Sequence, residues 1–154
     1  MADVKAIPEG YPQVSPYLHV RGAGEAIEFY RRVFGAAERL RMPGPGGTIG
    51  HAELALGDSL LMLSDEYPDM GVRGPRTVGG TPVTLMVYVE DVDAVVERAV
   101  EAGATVVRPL QDAFYGDRTA LLEDPFGHQW SVATHIQDVP ADEMARRAAE
   151  AAGA

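Results

Sequence analysis

The residues best suited to acid–base chemistry are His51 and Glu53. Their i, i+2 spacing sends both side chains off one face of an extended strand, where an imidazole and a carboxylate can act as a proton-accepting pair. The same spacing also makes an inert polar pair, hydrogen-bonded at the open rim of a sheet, and the sequence leaves both open. Tyr17 and His19 repeat the pattern, as pocket lining or as catalytic groups. A metal site from His19, His51 and Glu53 is conceivable, since two imidazoles and a carboxylate suit zinc or iron, but no spacing forces them to converge. Further along, Tyr115-Gly116-Asp117-Arg118 sets a guanidinium after a glycine turn. Arg118 either grips an anionic ligand group with its planar fork or pairs with Asp117 or another carboxylate and fixes the loop. There is no cysteine, which excludes a thiolate nucleophile, a thiolate metal site and a disulfide framework.

The elements that hold these residues follow from periodicity. Residues 14–20 alternate as a strand, with Ser15, Tyr17 and His19 on one face and Pro16, Leu18 and Val20 on the other. Residues 25–34 carry Ala26, Ile27, Phe29, Tyr30, Val33 and Phe34 at helical spacing, and Gly35 ends the helix. A strand is expected over 36–42, then a turn-rich stretch over 43–47 that holds no regular element. Residues 48–56 and 59–64 form a hairpin around Gly57-Asp58. After a long Gly/Pro/Arg-rich connection the pattern returns: a strand over 83–89, a helix over 93–102 with Val95, Val96, Ala99 and Val100 inward, and a short strand over 105–108. A hairpin of 119–122 and 130–133 follows, turning on Asp124-Pro125-Phe126-Gly127, with Gly127 supplying positive φ. Parity puts Trp130 on the helix side as core, and His128 with it, capping or bracing the turn.

This is a duplication. Val20 and Val89 end equivalent strands 89 − 20 = 69 apart, and Met62 and Ser131 lie 131 − 62 = 69 apart in equivalent hairpins. The division expected is an arm over 1–13, a first module over 14–66, a connection over 67–82, a second module over 83–135 and a helical tail over 136–154. The tail begins near Pro140, with Asp142 and Glu143 in its first turn. Hydrophobic residues make up 46% of the 154, enough for a globular interior, while no apolar run is long enough to cross a membrane. The N-terminus lacks a basic region followed by an apolar core, so the cytoplasm is the expected location. A formal net charge of −10 opposes binding to nucleic acid or an anionic membrane.

Several stretches together carry a family resemblance: Pro16-Tyr17-Leu18, Phe29-Tyr30 through Phe34-Gly35-Ala36, Gly50-His51-Ala52-Glu53-Leu54, Met62-Leu63-Ser64-Asp65-Glu66, Tyr115-Gly116-Asp117-Arg118 and Asp124-Pro125-Phe126-Gly127-His128-Gln129-Trp130. In order and number they resemble the vicinal oxygen chelate superfamily, in its glyoxalase and bleomycin-resistance branch, particularly the PhnB-like proteins. The resemblance spans residues 14–134. It implies an α+β fold of two βαβββ modules forming a half-open, cup-shaped sheet with the helices outside and the ligand within. It also implies, for many members, a divalent metal held by four side chains, two from each half. The matching positions here are Ser15, Met62, Thr84 and Ser131, and none is histidine or carboxylate. Hydroxyls and a thioether are poor ligands for zinc, iron or manganese, so no metal and no cofactor are expected.

If those four positions face the cup, strand parity adds Tyr17, His19, Leu60, Ser64, Met86, Tyr88, Gln129 and Ala133, with His51 and Glu53 from the third strand. The expected site is then catalytic His51 and Glu53 with ligand contacts from Tyr17, His19, Met62, Thr84, Met86, Tyr88, Tyr115, Arg118, Gln129 and Ser131. Met62 and Met86 supply soft apolar surface. Two functions remain: a metal-free protein that binds a small organic molecule, of the sequestration or resistance type, and a lyase, isomerase or dioxygenase-type enzyme using His51 and Glu53 or a non-standard metal. The arm and the tail, both outside the repeat, suggest a homodimer.

Overall fold

Residues 3–153 are described by a computed structural model of the chain; residues 1 and 2 of the expected arm and residue 154 of the expected tail lie outside them. The chain divides into two units, Met1–Gly79 and Gly80–Ala154, and the boundary falls inside the expected connection.

The first unit contains β1 (Tyr17–Val20), α1 (Ala23–Phe34), β2 (Ala37–Pro43), β3 (Ile49–Leu56), β4 (Ser59–Asp65) and a short helix α2 (Pro75–Val78). The sheet order is β1-β4-β3-β2, with β1 parallel to β4 and the other pairs antiparallel. Leu18, Val20, Ala52, Leu54, Leu61 and Leu63, alternate residues of three strands, are buried together with Ala26, Ile27, Tyr30 and Val33 of α1. Burying an apolar stripe of a helix against one sheet face is what holds such a layer together, at about 25 cal/mol per Å² of apolar surface. The opposite face of the sheet carries the polar side chains.

The second unit repeats this with β5 (Thr84–Tyr88), α3 (Val92–Glu101), β6 (Thr105–Asp112), β7 (Asp117–Glu123), β8 (Gln129–His135) and α4 (Ala141–Ala152), in sheet order β5-β8-β7-β6. The duplication extends to register. Tyr17 pairs with Met62 and Met86 with Ser131, offsets of 86 − 17 = 69 and 131 − 62 = 69. On the next strand Glu53 pairs with Met62 and Leu121 with Ser131, an offset of 121 − 53 = 68. The second hairpin turn absorbs the extra residue.

Four expectations change. β1 starts at Tyr17, leaving Ser15 and Pro16 ahead of the strand. The 43–47 stretch holds a single 3-10 turn, Pro45–Gly47, and the connection holds another, Pro68–Met70, a Tyr67–Val72 bridge and α2. Val100 is exposed because the apolar stripe of α3 begins earlier, at Val92. β6 continues past Arg108 to Asp112: it is an edge strand, where Pro109 forfeits no ladder bond that the sheet needs.

Candidate functional site

The polar face of the first unit gathers side chains that the sequence scatters. β3 pairs residue by residue with β2 from His51 to Glu53 and with β4 from Ala52 to Leu56, so His51 and Glu53 leave the same face, as their spacing predicts. His51 Nε2 lies 3.6 Å from Glu53 Oε2, and Tyr17 Oη lies 2.7 Å from His51 Nδ1. When Tyr17 donates to Nδ1, the ring proton sits on Nε2, toward Glu53. His19 Nδ1 is 3.0 Å from Ser64 Oγ, and the Tyr17 ring lies 5.2 Å from that of His19 and 5.4 Å from that of His51. Met62 stands between Tyr17 and Glu53 in the register. Glu53 is only 3% exposed, and Tyr11 donates to its Oε1 at 2.6 Å. That bond pushes the Tyr11 phenol up from its usual value, and burial does the same for Tyr17, so both stay protonated. Tyr11 was invisible as a site residue: it lies in the aperiodic arm.

The polar face of the second unit carries a cavity of about 260 Å³. Thr84, Gln129 and Ser131 from β5 and β8 line it, as parity predicts, with Tyr115 at the loop before β7. Thr119 and Leu121 of β7 complete the floor, and Ser131 Oγ lies 3.4 Å from Thr119 Oγ1. Arg108 and Gln111 of β6 form the remaining wall. They have opposite parity in sequence, yet Arg108 pairs with Leu121 and Gln111 with Thr119, because the β6 register slips on both sides of Arg108. Such bulges re-aim side chains, and this one brings both polar groups onto one face. The sequence signal is Pro109 itself, a residue that marks edge strands and bulges; a strand ended at Arg108 leaves it out.

Met86 and Tyr88 share the β5 face with Thr84, but the Tyr88 hydroxyl donates to Asp117 Oδ2 at 2.7 Å. Arg118 does not join the site. It alternates onto the α3 side, where its guanidinium forks onto Asp93 at 2.8 and 3.0 Å and reaches Asp112 at 3.1 Å. The partners are Asp93 and Asp112 rather than Asp117, and the fork is spent on joining α3 to the sheet. Trp130 is core, 4% exposed, with Nε1 donating to the buried Asp124 at 2.9 Å. Asp124 also accepts from the amides of Phe126 and His128, so the hairpin motif builds a turn.

The four positions that match the usual metal ligands do not fit a metal ion. Ser15 precedes β1, Met62 is a thioether beside Tyr17, and Thr84 and Ser131 offer neutral hydroxyls. Among the described residues no three His, Asp or Glu side chains are grouped to hold a metal, so the substitute set His19, His51 and Glu53 is not assembled either.

Residues 13–132 match the family described as the Glyoxalase/Bleomycin resistance protein/Dioxygenase superfamily. The uncharacterized protein Rv0887c of Mycobacterium tuberculosis is 46% identical over 136 residues, covering 86% of this chain and 80% of that protein. TioX from Micromonospora sp. ML1 superposes with a TM-score of 0.62 at 32% identity, covering 81% of this chain and 99% of TioX. The PhnB protein from Bacillus cereus shares the fold, with a TM-score of 0.65 at 19% identity over 80% of this chain and 99% of its own.

Proposed function

Because the chain belongs to the glyoxalase/bleomycin resistance protein/dioxygenase superfamily, we propose that it binds a small organic molecule, for sequestration or resistance, on the polar face of its second unit and without a metal. The observation that carries this reading is the cavity of about 260 Å³, walled by hydroxyl and amide side chains and the Arg108 guanidinium, with Leu121 and Pro109 as apolar surface. A few convergent polar groups in a concavity are what orient a small ligand. No helix among the described residues is long and apolar enough to cross a membrane, and the reading is of a cytoplasmic homodimer. A screen of aromatic and heterocyclic compounds followed by amide chemical shifts tests it. Hits are expected to move the amides of residues 119–121 and 129–131. Responses confined to the 43–47 and 71–80 loops count against it.

A second reading is favoured by one observation, the Tyr11–Glu53–His51–Tyr17 chain of contacts on the first unit. Two phenols, an imidazole and a buried carboxylate are a proton-transfer set for a lyase or isomerase. Glu53→Gln keeps the shape and removes the base. If this face is the working site, a ligand or substrate recognised there loses about 1–3 kcal/mol of binding, the worth of one charge-assisted hydrogen bond. Unchanged affinity and turnover in Glu53→Gln leave the cluster a structural one.

A further inference from the structure

We infer that Arg108 is the anchor for an oxyanion, carboxylate or phosphonate, on the small molecule bound in the second unit's cavity; this rests on the reading of that cavity as a ligand site. Arg108 stands in the cavity wall, and among the described residues its guanidinium makes no ion pair and no hydrogen bond. Within the same unit Arg118 is held by two carboxylates, and Arg146 and Arg147 each hold at least one. The chain has 23 acidic residues against 13 basic ones, and none of the acidic ones lines this cavity to compete for the guanidinium.

Its position is also built. The double slip in β6 on either side of Arg108 sets that exposed residue opposite Leu121, on the cavity face, while Gln111 pairs with Thr119. A strand without the bulge would send one of the two away. The other polar groups of the wall, Thr84, Gln129, Ser131 and Tyr115, are uncharged. The site therefore offers one full positive charge, in a planar donor fork that matches two oxygens of one acid group, set beside neutral hydrogen-bonding groups for the rest of the molecule. The formal net charge of −10 gives an anion no long-range attraction, so recognition must be local.

The test is an NMR titration of the isotopically labelled full chain with benzoate, phenylphosphonate and benzamide. It follows the Arg108 side-chain Nε–H and the amides of residues 119–121 and 129–131. At least one anion is expected to bind about tenfold more tightly than benzamide, the scale of one charge-assisted contact. Which of benzoate and phenylphosphonate leads separates a carboxylate from a phosphonate ligand. Arg108→Gln removes that advantage, so that the anions bind no more tightly than benzamide, while Arg108→Lys keeps the charge without the fork and retains part of it. If all three probes move the same amides with equal affinity, or if the anion preference survives in Arg108→Gln, the anchor is overturned and the cavity stands. If no probe moves these amides up to its solubility limit, the anchor and the cavity reading fall together.

Discussion

His135 shows how one residue can tie its unit to pH. Its Nδ1 lies 2.8 Å from Asp117 and its Nε2 2.7 Å from Asp138, and Tyr88 donates to the same Asp117. Carboxylates on both ring nitrogens require both to carry protons, so the hydrogen bonds to Asp117, and then to Asp138, raise its pKa above the ordinary 6.5. A raised folded pKa adds stability that is complete below pH 6.5 and disappears as pH climbs through the folded value. The melting temperature of the natural chain is expected to fall between pH 6.5 and 8 relative to that of His135→Gln; parallel pH profiles would show the pairing contributes nothing. Two arginines on adjacent strands of the same sheet divide their work differently: Arg118 of β7 is consumed by Asp93 and Asp112, whereas Arg108 of the edge strand β6 is left for a ligand.

The elements repeat one device. Asp65 in β4 accepts from the amides of Gly22 and Ala23 where α1 begins, and from Ile49 at the start of β3. Thr134 in β8, 134 − 65 = 69 residues on, accepts from Val92 where α3 begins and donates to Val89. Each last strand thus fixes the helix entering its own module, supplying a partner to amides the helix cannot satisfy itself. Asp65→Ala is expected to cost about 2 kcal/mol and Thr134→Val about 1 kcal/mol in urea unfolding; Asp65→Ala without effect would show that packing alone places α1. Periods of 2 and 3.6 made the helices, both hairpins and the shared face of His51 and Glu53 legible in sequence. What was not legible depends on long-range contact. Tyr11 reaches Glu53 from a stretch with no period, and the slips in β6 exist only against β7. Arg118 was open between ligand and carboxylate because its neighbours Asp93 and Asp112 become neighbours only on folding.

At the scale of the whole molecule, the homodimer proposed above leaves surface to account for. None of the residues of α4 is buried, and its anchorage includes Arg147 donating to the Phe114 carbonyl at 3.0 Å. Light scattering at micromolar concentration is expected to give twice the chain mass; a monomer there contradicts the proposal. The central claim is that binding occurs on the second unit's polar face and needs no metal. Calorimetry with one screening hit tests it most directly, on the natural chain before and after exhaustive chelation and on Ser131→Leu, which fills the cavity floor. The account predicts equal affinity before and after chelation and a loss of at least about tenfold in Ser131→Leu. Binding that vanishes on chelation and returns with one equivalent of a divalent metal, or that is untouched in Ser131→Leu, would contradict it.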